Sequence, residues 1–355
     1  MNKTEKEIIE KFYKETWYEL TVKDGKFYCN GNLDLRNTKI KELPNNLTVD
    51  YNLDLEGTEI TNIPDFLIVG NELCLKRTKI TELPNNFTVG GYLNLAETTI
   101  AVLPDNLTVG HSLNIRNTKV VKLPDTLQFG WGLDLSGTKF TELPDNLTIP
   151  GRLILNESNI KELPSNLTVG ECLEIRGLNL STLPDNLTVG GYIYHSNLKE
   201  KVLSKVNKIF SPEQQKKIYD LLNMALFWER DGVKYIKAER IFSVIDSHHG
   251  NVYKAHKIGE EDKPFYFITD GDNHWAHGET LAEAKADLIY KLSDKSTTIY
   301  KKLSLNDTLS YVEAIVAYRT ITHALDIWVR DFVKNRLPFY RKNKYTIKEI
   351  INFAK

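Results

Sequence analysis

The chain has little cysteine, and no stretch approaches the eighteen apolar residues of a membrane span. The 355 residues include three cysteines, Cys29, Cys74 and Cys172, whose spacing fits neither a zinc site nor a disulfide framework. No cysteine follows Cys172, which excludes thiol catalysis in the second half. No glycine-rich phosphate loop and no Gly-x-Ser-x-Gly elbow occurs. These absences favour a cytoplasmic protein that uses no cofactor and no membrane.

A period of twenty residues runs through the first half of the chain. Eight prolines stand twenty residues apart, and the sequence between them is nearly constant, as in ELPNNFTVGGYLNLAETTI and ELPDNLTIPGRLILNESNI. The prolines are Pro44, Pro64, Pro84, Pro104, Pro124, Pro144, Pro164 and Pro184. Such repetition is typical of a solenoid, in which each unit packs against an equivalent neighbour.

Each repeat predicts a short strand, a turn and a return segment. Two apolar residues separated by one, such as Leu53 and Leu55, have the alternation of a strand with both side chains in the core. A small hydroxyl residue three positions later, such as Thr58, is expected to bond backbone groups at the turn. The proline predicts an extended or 3₁₀-like outer edge, and the glycine before the next strand, such as Gly70, suits a corner with positive φ.

The pattern L-x-L-x-x-T-x-[IV]-x-x-L-P-x-N-L resembles the leucine-rich repeat, in a short form with Thr at the usual Asn position. The resemblance implies an α/β solenoid over residues 31–198, with a parallel β-sheet on its concave face. Residues 1–30 are predicted to form a cap helix and hairpin, the helix opened by a capping box of Thr4 and Glu7. Residues 199–232 are predicted to form a capping helix and linker.

The triplet Asn-x-Thr, which formally matches a glycosylation acceptor, recurs in six of the repeats. These six copies stand at the same position of the repeat, so we assign their asparagines a structural role. They are Asn46, Asn86, Asn106, Asn146, Asn166 and Asn186.

Residues 233–355 combine strand and helix signals, which predicts a small α+β domain. Runs such as NVYKAHKI and PFYFITD are joined by short turns, as in an antiparallel meander. Helices are predicted after the N-caps Ser211, Thr280, Ser310 and Thr346, the first of them reaching to Gly232. The runs HWAHGETLAEAKADLIYKL, SYVEAIVAYRTIT and KYTIKEII resemble a C-terminal domain that follows short leucine-rich repeats in proteins of gut bacteria and their phages.

A cluster of histidines offers the main alternative, an enzyme or a metal-dependent activity. Five of the eight histidines lie between positions 248 and 277. His274 and His277, with Asp270 and Asp272, could form a metal site or a general acid and base. The spacing of these two histidines is not that of the helical pair in metalloproteases. A strand-to-helix turn at His277 is the structural interpretation, and we expect no bound metal.

A second alternative is nucleic-acid binding by the C-terminal domain. Residues 201–355 hold 26 Lys and Arg against 20 Asp and Glu, whereas residues 1–200 hold 20 against 27. Basic and aromatic residues alternate near the end of the chain, as they do in single-strand binders. The basic residues are Arg336, Arg341, Lys342 and Lys344. A solvated loop between helices explains the same residues.

The preferred hypothesis is a non-enzymatic recognition protein, an inhibitor or adaptor, that binds another protein through the outward positions of the strands. These positions vary from repeat to repeat while their neighbours are fixed. Tyr92, His111 and Trp131 are expected to lie side by side as aromatic anchors, although Trp131 could instead fill space beside small residues. The remaining candidate contacts are Asp34, Asp54, Asn94, Arg116, Asp134, Glu174 and Arg176. The resemblance of the C-terminal domain implies a phage or mobile-element protein that modulates a host or defence system.

Overall fold

The computed structural model describes residues 2–23, 25–180, 182–196, 198, 203, 206–230, 232–258, 260–293, 300, 303–304, 306–323, 329, 332–333, 337 and 344–354. The chain is divided into two compact units, Met1–Arg230 and Asp231–Lys355. The first contains a solenoid of stacked parallel strands and the second is a separate sheet-rich region, as the repeat and the strand signals predict. Within the described ranges, no helix is both long and apolar enough to cross a membrane.

The first unit begins with helix α1 (Lys3–Thr16), which is N-capped by Asn2. The Asn2 side chain accepts a hydrogen bond from the Glu5 backbone N–H at 2.9 Å, and the Glu5 carboxylate accepts one from the Asn2 backbone N–H at 2.6 Å. The predicted capping box of Thr4 and Glu7 is therefore wrong by two residues. Asparagine is as good an N-cap as threonine, and the cap lies where the helix begins.

A hairpin of strands Thr21–Lys23 and Lys26–Cys29 joins α1 to the solenoid. Its second strand pairs in parallel with the first coil, so the hairpin starts the stack. The buried side chains of Phe12 and Leu20 belong to the same hydrophobic core as the leucines of the coils. The N-terminal segment therefore covers apolar side chains that would otherwise be exposed at the end of the solenoid.

Each coil contributes two short strands, one to each of two parallel layers. The first layer is a nine-stranded sheet in which residues twenty apart are in register, for example Leu53 with Leu73. Its strands are Leu33–Asp34, Leu53–Asp54, Leu73–Cys74, Leu93–Asn94, Leu113–Asn114, Leu133–Asp134, Leu153–Ile154, Leu173–Ile175 and Ile193–His195. The leucines point into the core and are fully buried in the central coils.

The second layer is formed by the return segments, for which the structure shows the extended one of the two predicted conformations, not the 3₁₀-like one. After the Leu-Pro step the chain forms another parallel strand, usually Thr-Val, which we call the Thr-Val strand of the coil. These strands are Leu47–Val49, Ile68–Val69, Thr88–Val89, Thr108–Val109, Gln128–Phe129, Thr148–Ile149, Thr168–Val169 and Thr188–Val189. β-Branched residues favour this extended conformation, and the sequence motif NLTV is the signal that identifies it.

A proline splits the second layer into a sheet of seven strands and a sheet of three. In most coils the residue after the Thr-Val strand donates its N–H to the preceding coil, as Gly130 does to Val109 and Gly170 does to Ile149. Pro150 occupies this position between the two sheets and has no N–H to donate. The missing donor explains why the ladder is interrupted there.

The glycines at this corner are needed for close packing, not for positive φ. Gly110, Gly130, Gly170 and Gly190 have φ values outside the left-handed region, so the predicted reason was wrong. A Cβ atom on Gly170 would lie 1.8 Å from the carbonyl oxygen of Pro150 in the preceding coil. Stacked backbones approach too closely here for any side chain.

Positive φ occurs instead at the asparagines of the Asn-x-Thr triplets. Asn46, Asn86, Asn106, Asn146 and Asn166 have φ between 55° and 60°, a conformation that asparagine adopts more readily than most residues. The side chain of Asn106 donates to that of Asn86 at 2.9 Å. The conformation and this ladder of amides give these asparagines the structural role predicted from their phase.

After the last coil the chain turns back and runs along the Thr-Val strands; we call residues 206–230 the strap. Asn207 still continues the stack, because its N–H donates to Leu187 and its carbonyl accepts from Val189. Helix α2 (Pro212–Leu222) follows, capped by Ser211 as predicted but ending ten residues before Gly232. Strand Leu226–Arg230 takes the place of the predicted last helical turns.

Contacts of the strap follow the coils in reverse order. The amide nitrogen of Gln214 donates to the hydroxyls of Thr168 and Thr188 at 3.0 and 3.2 Å. Further along, Lys217 donates to the carbonyl of Asn146. The indole nitrogen of Trp228 reaches the carbonyl of Thr88 at 3.4 Å. The strap therefore spans the Thr-Val strands from residue 188 back to residue 88, instead of covering only the end of the solenoid as the predicted capping helix would.

The second unit contains an antiparallel meander built from short hairpins. Its strands are Val233–Ala238, Ile241–His249, Val252–His256, Phe265–Thr269 and Trp275–Gly278. Each pairs with the next one in the chain, as the short turns predict. The first hairpin turns at Glu239 and Arg240, both with positive φ. Neither residue type is typical of such turns, so the sequence gives no signal there.

Helices pack beside the last two strands of this meander. Helix α3 (Leu281–Leu292) begins at the Thr280 cap and contacts those strands, and helix α4 (Tyr311–Thr322) packs against α3. Strands Thr308–Ser310 and Lys344–Thr346 pair antiparallel, and helix α5 (Ile347–Ala354) closes the unit. The caps predicted at Thr280, Ser310 and Thr346 are all formed.

Candidate functional site

The outward side chains of the nine-stranded sheet form the candidate binding surface, which we call the sheet face. It consists of three parallel rows, the first two with one residue from each of the nine coils and the third with one residue from each of the first eight. The first row is Asn32, Asn52, Glu72, Tyr92, Ser112, Gly132, Arg152, Cys172 and Tyr192; the second is Asp34, Asp54, Cys74, Asn94, Asn114, Asp134, Ile154, Glu174 and Tyr194; the third is Arg36, Glu56, Lys76, Ala96, Arg116, Ser136, Asn156 and Arg176. At a spacing of roughly 4.8 Å, nine strands give a surface about 40 Å long.

The middle row is rich in Asp and Asn for a local structural reason. A side-chain oxygen of Asp54 accepts a hydrogen bond from the backbone N–H of Glu56 at 2.9 Å, two residues along the chain. The side-chain oxygens of four other residues accept the same bond from the backbone N–H two residues along: Asp34, Asn94, Asn114 and Asp134. It stabilises the turn that ends each strand, so these positions are less free to vary than the sequence suggests.

Both ends of the sheet face carry charges that are paired within the face. The ion pairs are Asp34 with Arg36 at 2.6 Å, Arg36 with Asp54 at 3.5 Å, Glu56 with Lys76 at 3.1 Å and Glu174 with Arg176 at 3.1 Å. Arg176 also lies over the ring of Tyr194, at 4.7 Å from its centre. Exposed pairs of this kind add little stability, but they leave each end nearly neutral.

The centre of the face differs, because its acids have no basic partner. Among the described residues, no lysine or arginine nitrogen lies within 4.0 Å of the carboxylates of Glu72 and Asp134. Tyr92 is half-buried between their coils, and its hydroxyl accepts a hydrogen bond from the Asn114 side chain at 3.0 Å. Burial raises the pKa of Tyr92, and the negative charges of Asp134 and Glu72 raise it further.

Glu72 is the member of this group that sequence reasoning missed. It lies one coil before Tyr92 at the same position of the repeat, and that shared phase is the signal that could have found it. Burial raises the pKa of its carboxyl group, and the nearby charge of Asp54 raises it further. An ionised carboxylate held in this way costs stability.

Glu72→Gln is expected to raise the melting temperature at pH 7. Since the folded state binds the Glu72 proton more tightly than the unfolded chain, wild-type stability increases as pH falls through the raised pKa. The advantage of the variant should therefore shrink between pH 7 and pH 4. Thermal unfolding at several pH values measures this difference, with Glu82→Gln, an exposed acid in the same coil, as the control. Equal melting temperatures for wild type and Glu72→Gln at pH 7 would contradict the expectation.

The three aromatic candidates do not form one row. The rings of His111 and Trp131 stack at 5.7 Å, at the corner between the two layers. The indole covers Gly151, where a Cβ atom would lie 2.3 Å from the ring nitrogen. Tyr92 stands one position further along the repeat and lies on the sheet face. Trp131 thus fills the space above a glycine, and Tyr92 is the aromatic residue at the centre of the face.

The two histidines of the candidate catalytic group are each paired with a different acid. His274 contacts Asp270 at 2.5 Å and His277 contacts Glu239 at 2.6 Å. The side chain of Asp270 also accepts from the backbone N–H of Asp272, which closes the hairpin turn. The proposed catalytic group is therefore split between two places. His274 lies at a hairpin turn, whereas His277 lies in strand Trp275–Gly278, directly before the turn into helix α3.

Among the described residues, two groups of three side chains have the composition of a metal site, and protein cations already neutralise both. Asp54, Glu56 and Cys74 form the first, and burial raises the pKa of the Cys74 thiol to about 12. Glu56 pairs with Lys76. The second group combines Glu239, His277 and Asp287, and Lys291 forms ion pairs with both of its carboxylates. A lysine or arginine supplies the positive charge in each case.

Of the basic residues considered for nucleic acid, Lys344 begins the strand that pairs with Thr308–Ser310. Arg336, Arg341 and Lys342 lie outside the described residues.

No protein-family model matches the chain, and no curated protein matches it.

Proposed function

We propose that this protein is a non-enzymatic recognition protein that binds another protein through the sheet face. The observation that supports this is the contrast between the two layers of the solenoid. The strap occupies the Thr-Val strands with side-chain hydrogen bonds from Gln214 and Trp228. The sheet face instead presents exposed side chains such as Arg36, Arg116 and Arg176, at a length comparable with a standard protein interface.

The proposal includes the type of repeat and its setting. The pattern of leucine, threonine and proline supports a short leucine-rich repeat, with the sheet face as its concave side. The similarity of the C-terminal runs to a domain of gut bacterial and phage proteins supports a cytoplasmic inhibitor or adaptor in a bacterial host. Modulation of a host or defence system follows from that similarity.

Tyr92→Ala is expected to reduce recovery of the bound protein at least tenfold. Aromatic residues at the centre of an interface often contribute 2 kcal/mol or more to binding, which corresponds to a loss of about thirtyfold at 25 °C. The test captures proteins from lysate of the source cell on immobilised full-length chain, with quantification by mass spectrometry.

Val102→Ala is the matched control, because this residue is 73% exposed and lies outside the sheet face. Recovery should be the same for wild type and Val102→Ala. If Tyr92→Ala also recovers the partner at the wild-type level while its melting temperature is unchanged, binding does not use the sheet face.

A further inference from the structure

The sheet face has an uneven charge pattern that specifies the chemistry of its partner. Its ends are neutralised internally, whereas Glu72 and Asp134 have no ion-pair partner in the part of the chain that the structure describes. Arg116, one strand before Asp134 in the rows, is exposed and forms no ion pair with Asp134 within 4.0 Å, again among the described residues. Glu72 and Asp134 are therefore two carboxylates of the sheet face that no described lysine or arginine contacts.

The two acids lie on either side of a half-buried aromatic ring. Glu72 precedes Tyr92 by one coil in the same row. The hydroxyl of Tyr92 reaches Asn114, which is in register with Asp134 on the next strand. The order along the solenoid is thus acid, aromatic ring, amide, acid. A cation placed over the ring would be attracted by the π-electrons and by both carboxylates.

The spacing of the acids excludes a metal ion that both would ligate. Three coils separate Glu72 from Asp134, roughly 14 Å at the usual strand spacing. Metal ligands must lie within about 2.0–2.6 Å of the ion, so one ion cannot bind both carboxylates. A lysine or arginine head group over Tyr92 needs no direct ligation, because both carboxylates attract it at longer range.

Retaining Glu72 also has a cost for the fold. Its carboxylate is half-buried and close to Asp54, and no lysine or arginine among the described residues forms an ion pair with it. Departures from local stability of this kind are expected at functional sites. A basic side chain from a partner would neutralise this charge on binding.

Resting on the proposed function, we propose that the centre of the sheet face recognises a lysine or arginine side chain of the bound protein, which lies over Tyr92 between Glu72 and Asp134. The partner therefore presents a basic residue at the centre of its contact surface. Neutral polar side chains around the site, including Asn94 and Asn114, are suited to hydrogen bonds with the backbone beside that residue.

Selection from a random library of displayed twelve-residue peptides against the full-length chain tests this inference. Recovered peptides are expected to share a lysine or arginine at one position. Affinity measured by fluorescence polarisation should fall at least tenfold for Glu72→Gln and for Asp134→Asn, and equally when the shared basic residue of the peptide is changed to Gln. In a double-mutant cycle that combines a change in the protein with the change in the peptide, the losses of affinity from the two changes should not add.

The chosen variants keep the fold. Asparagine already occupies the position of Asp134 in two other coils, at Asn94 and Asn114, where it makes the same turn hydrogen bond. Glu72→Gln is expected to stabilise the chain, so a loss of peptide binding cannot be attributed to unfolding. Glu82→Gln, an exposed acid away from the sheet face, should leave peptide affinity unchanged.

Two outcomes overturn the inference, and they separate it from the proposed function. If the peptides lose affinity with Tyr92→Ala but share no basic residue, the sheet face binds proteins and the inference about a cation is wrong. The inference and the proposed function are both overturned if no peptide is recovered above a blank surface. The same holds if every recovered peptide binds Tyr92→Ala as well as it binds the wild type.

Discussion

Gly170→Ala is expected to destabilise the solenoid by about 3–5 kcal/mol, at the upper end of single substitutions. An added Cβ would lie 1.8 Å from the carbonyl oxygen of Pro150 and 2.8 Å from its carbonyl carbon, both backbone atoms. Neither can move away alone, because the N–H of Gly170 donates to Ile149 of the same coil at 2.8 Å. Two coils must therefore separate. Thermal or urea unfolding followed by circular dichroism should show a melting temperature lower by roughly 10 °C.

Gly132→Ala is the matched control for this substitution. The change in the unfolded chain is identical, and it favours alanine by about 0.4–1 kcal/mol. At Gly132 the nearest backbone atom to an added Cβ is the Arg152 oxygen at 3.1 Å, which small shifts accommodate. We expect a change within about 1 kcal/mol. Similar losses in both variants would show that the corner glycines are not required by the close approach of the coils.

The period of twenty residues was sufficient to predict the solenoid because every coil has the same neighbours. Leu53 and Leu55 could be assigned to the core from alternation alone, and both are fully buried. The reasons for individual residues were harder to predict. Position 170 requires glycine because the carbonyl oxygen of the residue twenty positions earlier leaves no room for a Cβ atom. A local interpretation of glycine as a positive-φ residue could not reveal that contact.

The candidate site was only partly predictable, because it depends on which charges are already paired. Asp34 and Asp134 occupy the same phase and look equivalent in sequence. Asp34 forms an ion pair with Arg36, two residues further on, whereas Ser136 stands at that place beside Asp134. Glu72 was overlooked since it lies before the leucine pair instead of between its members. Charge pairing between coils requires side-chain geometry, which a repeat pattern does not contain.

The strap was the least predictable element. A helix after Ser211 follows from its capping box, but the direction of the chain afterwards does not. The Gln214 side chain donates to the hydroxyls of Thr168 and Thr188, which lie far from it in sequence. Threonine is common on the exposed side of strands, so the repeated threonines gave no indication in the sequence that the second layer would be covered.

Trp228→Ala is expected to release the strap from the Thr-Val strands. The Trp228 side chain is 7% exposed and donates to the Thr88 carbonyl, while the adjacent Leu226 packs near Gly110. Truncation of a buried tryptophan costs about 3–5 kcal/mol. Since 1.4 kcal/mol corresponds to a tenfold change in an equilibrium, the detached population should increase at least a hundredfold. Limited proteolysis at low protease concentration, which reports that population, should cleave residues 206–230 faster by a similar factor.

Phe227→Ala is the control that distinguishes loss of the Trp228 contacts from a general weakening of the strand. Phe227 is the neighbouring residue and 49% exposed, so its side chain faces away from the buried position and its truncation should change cleavage less than tenfold. Peptide binding to the sheet face should persist in both variants, because the strap lies on the other layer. Equal cleavage rates for Trp228→Ala and wild type would mean that the hydrogen bonds of Gln214 and Lys217, rather than Trp228, hold the strap.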